Sequence, residues 1–140
     1  TGATTTSYTI PSNGIGASYR VCLNATNTYG TGSKCSDPIG PIAAGAPANT
    51  ARPTITGSAL TGASLTITSA GTWSPTAASY TYQWQIAASA TSGWSDVTGA
   101  TTTSYTIPSN GIGASYRVCL NATNTYGTGS KCSDPIGPIT

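Results

Sequence analysis

"SYTYQWQIA" (79–87) alternates strictly: Tyr80, Tyr82, Trp84 and Ile86 against Thr81, Gln83 and Gln85. A period of two is the mark of a half-buried β-strand. Working outward, the same alternation recurs on both sides. "ASLTITS" (63–69) sets Leu65 and Ile67 against Thr66 and Thr68. "SYRVCLNATN" (115–124) sets Tyr116, Val118, Leu120 and Ala122 on one face. Shorter strands are expected at "RPTIT" (52–56), "GWSDV" (93–97) and "SYTI" (104–107), with "SKCSDPIGPI" (130–139) closing the series. Helical periodicity is absent. About seven short strands in under 90 residues, separated by Gly, Pro, Asn and Ser turns, predict an all-β fold, an immunoglobulin-like β-sandwich of two sheets packed face to face. Tyr80, Tyr82, Trp84, Tyr116, Val118 and Leu120 are its expected core.

The chain repeats itself. Residues 1–42 and 98–139 are identical, an offset of 97 residues. A period of that size is a whole domain and well above that of solenoid repeats. The expected organisation is therefore tandem. Residues 1–42 hold the last strands of one repeat, 43–51 form a Pro/Ala-rich linker within "PIAAGAPANTARP" (41–53), and 52–140 make one complete repeat. Identity over 42 positions points to recent duplication or to selection for uniform units, and to an array with more copies. Residues 1–42 lack the 52–86 portion with its Trp strand, so other strands must complete them; a preceding repeat of a longer array is favoured over strands donated by another chain, because the sequence carries no spare early strands to donate.

Composition narrows the function classes. Among 140 residues there are five Lys+Arg, three Asp+Glu and no His. Typical soluble domains are about 25% charged, against 6% here, so solubility comes from Thr, Ser, Asn and Gly. The isolated cations form no patch for nucleic acid or an anionic membrane. No apolar run reaches the ~18 residues of a membrane span.

Acid–base catalysis needs His or paired carboxylates. The three acids are Asp37, Asp96 and Asp134, and the first and last are one position in successive repeats. The reading is a non-enzyme with no cofactor and no metal.

Each repeat carries two cysteines: Cys22 and Cys35, Cys119 and Cys132. If the last two strands form a hairpin, its centre falls within "NTYG", a sequence suited to a turn. Antiparallel pairing then sets Cys119 opposite Cys132, on the face away from Val118 and Leu120. Disulfides Cys22–Cys35 and Cys119–Cys132 are favoured over a zinc site, because the pairs lie 97 residues apart and no His is present. Disulfides imply an oxidising, extracellular or cell-surface setting.

"LTGASLTITSAGTWSP", "YTYQWQ", "GWSDVTGATTTSYTIP" and "GASYRVCLNATNTYG" together resemble the bacterial Ig-like tandem repeats of secreted and cell-surface proteins. The resemblance spans the 52–139 unit and recurs at 1–42. It implies that Trp84 is the core Trp of the third strand, that Tyr116 is the corner tyrosine with Tyr19 its twin, and that Trp73 packs within the sandwich. The cysteine usual at Val118 is missing, so the inter-sheet disulfide of immunoglobulins is not expected.

Three further pairs of residues are candidate contact or modification sites. Trp73 and Trp94 are aromatic rings that could stack on sugars. Tyr29 and Tyr126 sit at the hairpin tips, where a ligand or a neighbouring domain could meet them. "NAT" at Asn24 and Asn121 has the form of a glycosylation sequon. The function expected is mechanical: a structural repeat of a stalk, fibre or filament, with neighbouring identical repeats as partners. The alternative is an adhesin or carbohydrate-binding repeat.

Overall fold

The computed structural model of the chain describes residues 3–140. It divides into two compact units, Thr1–Ala44 and Gly45–Thr140. In the first, β1 (Cys22–Asn27) and β2 (Gly30–Cys35) form an antiparallel hairpin running from Cys22 opposite Cys35 to Asn27 opposite Gly30. A bridge between Tyr19 and Ile39 extends it. The turn is made locally: the Asn27 side-chain oxygen accepts from the Tyr29 N–H at 2.9 Å. Asn favours such turns because its short amide mimics the backbone.

The second unit contains β3 (Ala48–Ala51), β4 (Thr54–Thr56), β5 (Ser64–Ser69), β6 (Thr72–Ser74), β7 (Ser79–Ala87), β8 (Ser95–Asp96), β9 (Ser104–Thr106), β10 (Ser115–Asn124) and β11 (Gly127–Cys132). One sheet has the order β4-β5-β9, the other β11-β10-β7-β8, and β3 pairs with β6 as a separate ribbon. All pairings are antiparallel. This is an immunoglobulin-like β-sandwich. Its core joins both sheets: Leu65 from β5, Trp84 from β7, Val118, Leu120 and Ala122 from β10, with Trp73, Ile107, Tyr116 and Ile139. Period-two alternation buries every second residue of β10, because successive side chains point to opposite faces.

Trp84 is fixed at both ends. Its ring stacks on Tyr105 at 5.9 Å between centroids, and its Nε1–H donates to the Thr102 carbonyl at 2.9 Å. A buried indole needs such a partner for its one polar atom.

Three elements differ from the expected strands. β3 lies inside the stretch 43–51 read as a linker, and its partner β6 lies inside "GTWSP", where no strand was expected. The ribbon is held by polar groups: Asn49 Nδ2–H donates to the carbonyls of Ala51 and Thr72, and the hydroxyls of Thr50 and Thr72 lie 2.6 Å apart. Such pairing has no apolar alternation to announce it. β11 starts at Gly127, three residues before the expected 130. Its glycines look like turn residues, yet Gly129 serves close packing: a Cβ there would overlap the Pro47 carbonyl oxygen.

Candidate functional site

Since alternation sends Tyr116, Val118, Leu120 and Ala122 inward, Arg117 and Cys119 point to the outer face of the four-stranded sheet. Register places Cys119 opposite Cys132 on one side and Gln83 on the other, and Arg117 opposite Gln85. Cys119 and Cys132 are disulfide-bonded, as are Cys22 and Cys35. Each bridge ties neighbouring strands of one hairpin and lies away from the core.

Beside the bridge is a polar stack. The Arg117 guanidinium lies over the Trp94 ring, 4.3 Å from its centroid. Its Nε–H donates to Gln85 Oε1 at 2.8 Å, and Gln85 Nε2–H donates to Asp96 Oδ1 at 2.8 Å. Burial pulls the Arg117 pKa down from its ordinary value, although a guanidinium remains a cation throughout the working range. The stack is satisfied from within: cation on ring, amide between cation and carboxylate. One face of Trp94 is thereby covered, which leaves a sugar only the other. Gln85 and Arg117 escaped the sequence reading because the register of β7 on β10 is a long-range fact. The outward alternation of Thr81, Gln83 and Gln85 was its only trace.

Trp73 is 7% exposed. It packs against Tyr80 with ring centroids 6.4 Å apart, and its Nε1–H donates to the Ala70 carbonyl at 2.9 Å. As a core side chain it is not a stacking platform. Trp84, Tyr116, Val118 and Leu120 are fully buried, while Tyr80 and Tyr82 are half-buried and pack against the core. Asn121 and Asn24 are exposed. Tyr126 and Tyr29 stand at the hairpin tips, 57% and 97% exposed.

Arg52 and Asp134 form an exposed ion pair at 2.5 Å. A groove of about 300 Å³ is lined by Arg52, Arg117 and Lys131.

Tyr116 carries an internal tension. Its hydroxyl is buried with no hydrogen-bond partner among the described residues. A Cβ on Gly111 would stand 2.8 Å from that oxygen, so the glycine makes room for the ring. Burial, with Tyr105 alongside, raises the Tyr116 pKa above the ordinary 10.0. Ser133 was also missed. It is buried, and its Oγ accepts from the Val118 N–H at 3.2 Å, tying the end of β11 to β10.

The second unit is threaded from pole to pole. Its first residue, Gly45, accepts through its carbonyl from Asn124 Nδ2–H at 3.0 Å, beside the hairpin tip. Its last turn returns to the far end of β10, where the Ile139 N–H donates to the Ala114 carbonyl at 2.8 Å. The ten residues of β10 separate these points by about 30 Å at the usual strand rise. In the first unit Ile42 makes the same bond to Ala17, and the chain runs on from there.

Two disulfides are those of a secreted or cell-surface protein, because reducing compartments keep thiols free. Among the described residues no helix is long and apolar enough to cross a membrane. No protein-family model and no curated protein matches the sequence. Among solved structures the chain is similar to the crystal structure of chicken CNTN1 FN1-FN3 domains, with 26% identity over 85% of this chain and a TM-score of 0.32. The chain spans 44% of the length of that one.

Proposed function

We propose that the protein is a structural repeat of an extracellular stalk, fibre or filament, built from tandem disulfide-stapled Ig-like domains. The observation that carries this reading is the pole-to-pole threading. A module entered at one end and left at the other extends its array with every copy, whereas one with adjacent ends would fold back. The 97-residue repeat supplies the copies. The scarcity of charge removes repulsion between them, and each disulfide holds the register of a hairpin whose outer face is polar.

Electron microscopy of an array of several 97-residue units tests it. Rods lengthening by a constant rise per unit are expected; compact clusters would sink the reading.

A second reading, a carbohydrate-binding or adhesin repeat, draws on Trp94 alone, since Trp73 is in the core. Glycan binding that Trp94→Ala abolishes would favour it.

A further inference from the structure

The second unit gathers its cations. Arg52, Arg117 and Lys131 are the Lys and Arg residues of 45–140, and they lie far apart in the sequence. All three line one groove of about 300 Å³, together with Ser130, Cys132 and Ser133. Asp134 pairs with Arg52 and offsets one charge, while Arg117 and Lys131 have no carboxylate partner among the described residues.

Two donors in this groove are set before any ligand arrives. The Arg117 guanidinium lies over Trp94, 4.3 Å from the ring centroid, and its Nε–H is taken by Gln85 Oε1 at 2.8 Å. Its terminal nitrogens, Nη1 and Nη2, make no hydrogen bond among the described residues. They form the fork that grips an oxyanion through two parallel bonds. Ser133 is 3% exposed, and its Oγ accepts from the Val118 N–H at 3.2 Å. Its hydroxyl hydrogen has no acceptor among the described residues and is left to donate. A held fork and a buried hydroxyl lose little freedom when a ligand binds.

The surroundings of the groove decide what enters it. β11 is an edge strand, but Pro47 lies against Gly129, where a Cβ would overlap the Pro47 carbonyl oxygen. The groove opens on residues 130–133 alone, short of the about five or six residues of a usual strand. That disfavours an added peptide strand. No aromatic ring lines the groove as a platform for bases, which disfavours nucleic acid. A compact oxyanion on a hydroxylated carrier suits both the charge and the serine lining.

We infer that this groove binds an acidic polysaccharide, gripping the carboxylate or sulfate of one sugar unit between Arg117, Lys131 and Ser133. Arg117 supplies the fork, Lys131 a point charge and Ser133 a neutral donor. The site goes beyond the structural-repeat reading and does not rest on it: a rod can lack the site, and a chain that builds no rod can carry it.

The full chain is titrated with a galacturonic acid oligomer, a sulfated galactose oligomer and an uncharged galactose oligomer, at low and at near-physiological salt. Affinity and NMR shifts of the amides and the Arg117 side chain are followed. One or both acidic oligomers should shift residues 130–133 and the Arg117 Nε–H, more weakly as salt rises. Which of the two binds tells carboxylate from sulfate. Arg117→Gln should lower affinity about tenfold or more, and Lys131→Gln about threefold or more. Arg117→Lys keeps the charge without the fork and should stay about threefold or more below the wild type. Unfolding midpoints establish that each variant is folded. No shift with either acidic oligomer overturns the inference. So does equal binding of the uncharged oligomer or of a glutamate oligomer, a set of shifts that avoids residues 130–133, or affinity unchanged in both Gln variants.

Discussion

Val118 stands directly opposite Trp84 across β10 and β7, and both are fully buried. Val21 holds the same place in the repeat, faces no strand on that side among the described residues, and is 56% exposed. Sequence identity over 42 residues thus provides an internal control for tertiary context.

Matched truncations should differ sharply. Leu120→Ala removes a fully buried side chain and should destabilise the second unit by about 2–5 kcal/mol. Leu23→Ala, its twin, is 71% exposed and should shift stability by no more than about 0.5 kcal/mol. Urea unfolding of the full chain distinguishes them. Equal costs would mean that Leu23 is buried in solution.

Gly129 and Gly32 form a second matched pair. A Cβ at Gly129 would overlap the Pro47 carbonyl oxygen, whereas one at Gly32 meets nothing within 4 Å. Gly129→Ala should cost about 1–3 kcal/mol by pushing the start of β3 away. Gly32→Ala should be neutral. Thermal unfolding of both variants checks the difference.

Tyr116→Phe should stabilise the second unit by about 1 kcal/mol, because it deletes a buried hydroxyl without a partner. The pH dependence follows from the raised pKa. The folded state holds the phenolic proton more tightly than the unfolded state, whose phenol titrates near 10.0. Stability is therefore intact below pH ~10 and falls as pH rises from there toward the folded value. Unfolding midpoints across alkaline pH should show this decline in the wild type and a flatter profile in the Phe variant.

Replacing Cys119 and Cys132 together by Ser should cost about 3 kcal/mol. The bridge closes a loop between positions 13 apart, and its loss frees the unfolded chain. Reductant should lower the denaturation midpoint of the second unit in the wild type and leave that unit's midpoint unchanged in the double variant, which keeps only the Cys22–Cys35 bridge of the first unit.

Trp94→Ala should cost about 1 kcal/mol, the worth of a half-buried cation–π contact with Arg117. A double-mutant cycle with Arg117→Gln measures the coupling, and additive effects would show that the stack contributes nothing.

The long strands were the most legible part of the fold. Residues 79–87 and 115–124 alternate, and β7 and β10 occupy those ranges. Their faces were legible too, since Trp84, Val118 and Leu120 fall on the buried side. The β3–β6 ribbon was not, because its hold comes from the Asn49 amide and Thr hydroxyls. Nor was the Trp94–Arg117–Gln85–Asp96 stack. It joins β7, β8, β10 and the residue just before β8, and no local pattern sets the register between those strands.

The hairpin marks what sequence alone determined. In both units the Cys pair closes the same register, and an Asn side chain caps the same turn. These interactions span no more than 13 positions, so they form whatever lies around them. "SYTI" marks what only tertiary structure decided. At 104–106 it is the strand β9, paired with β5. At 7–10 the same four residues form no strand. A strand exists when a neighbour supplies its ladder bonds and covers its apolar face, and among the described residues none lies beside 7–10 as β5 lies beside β9.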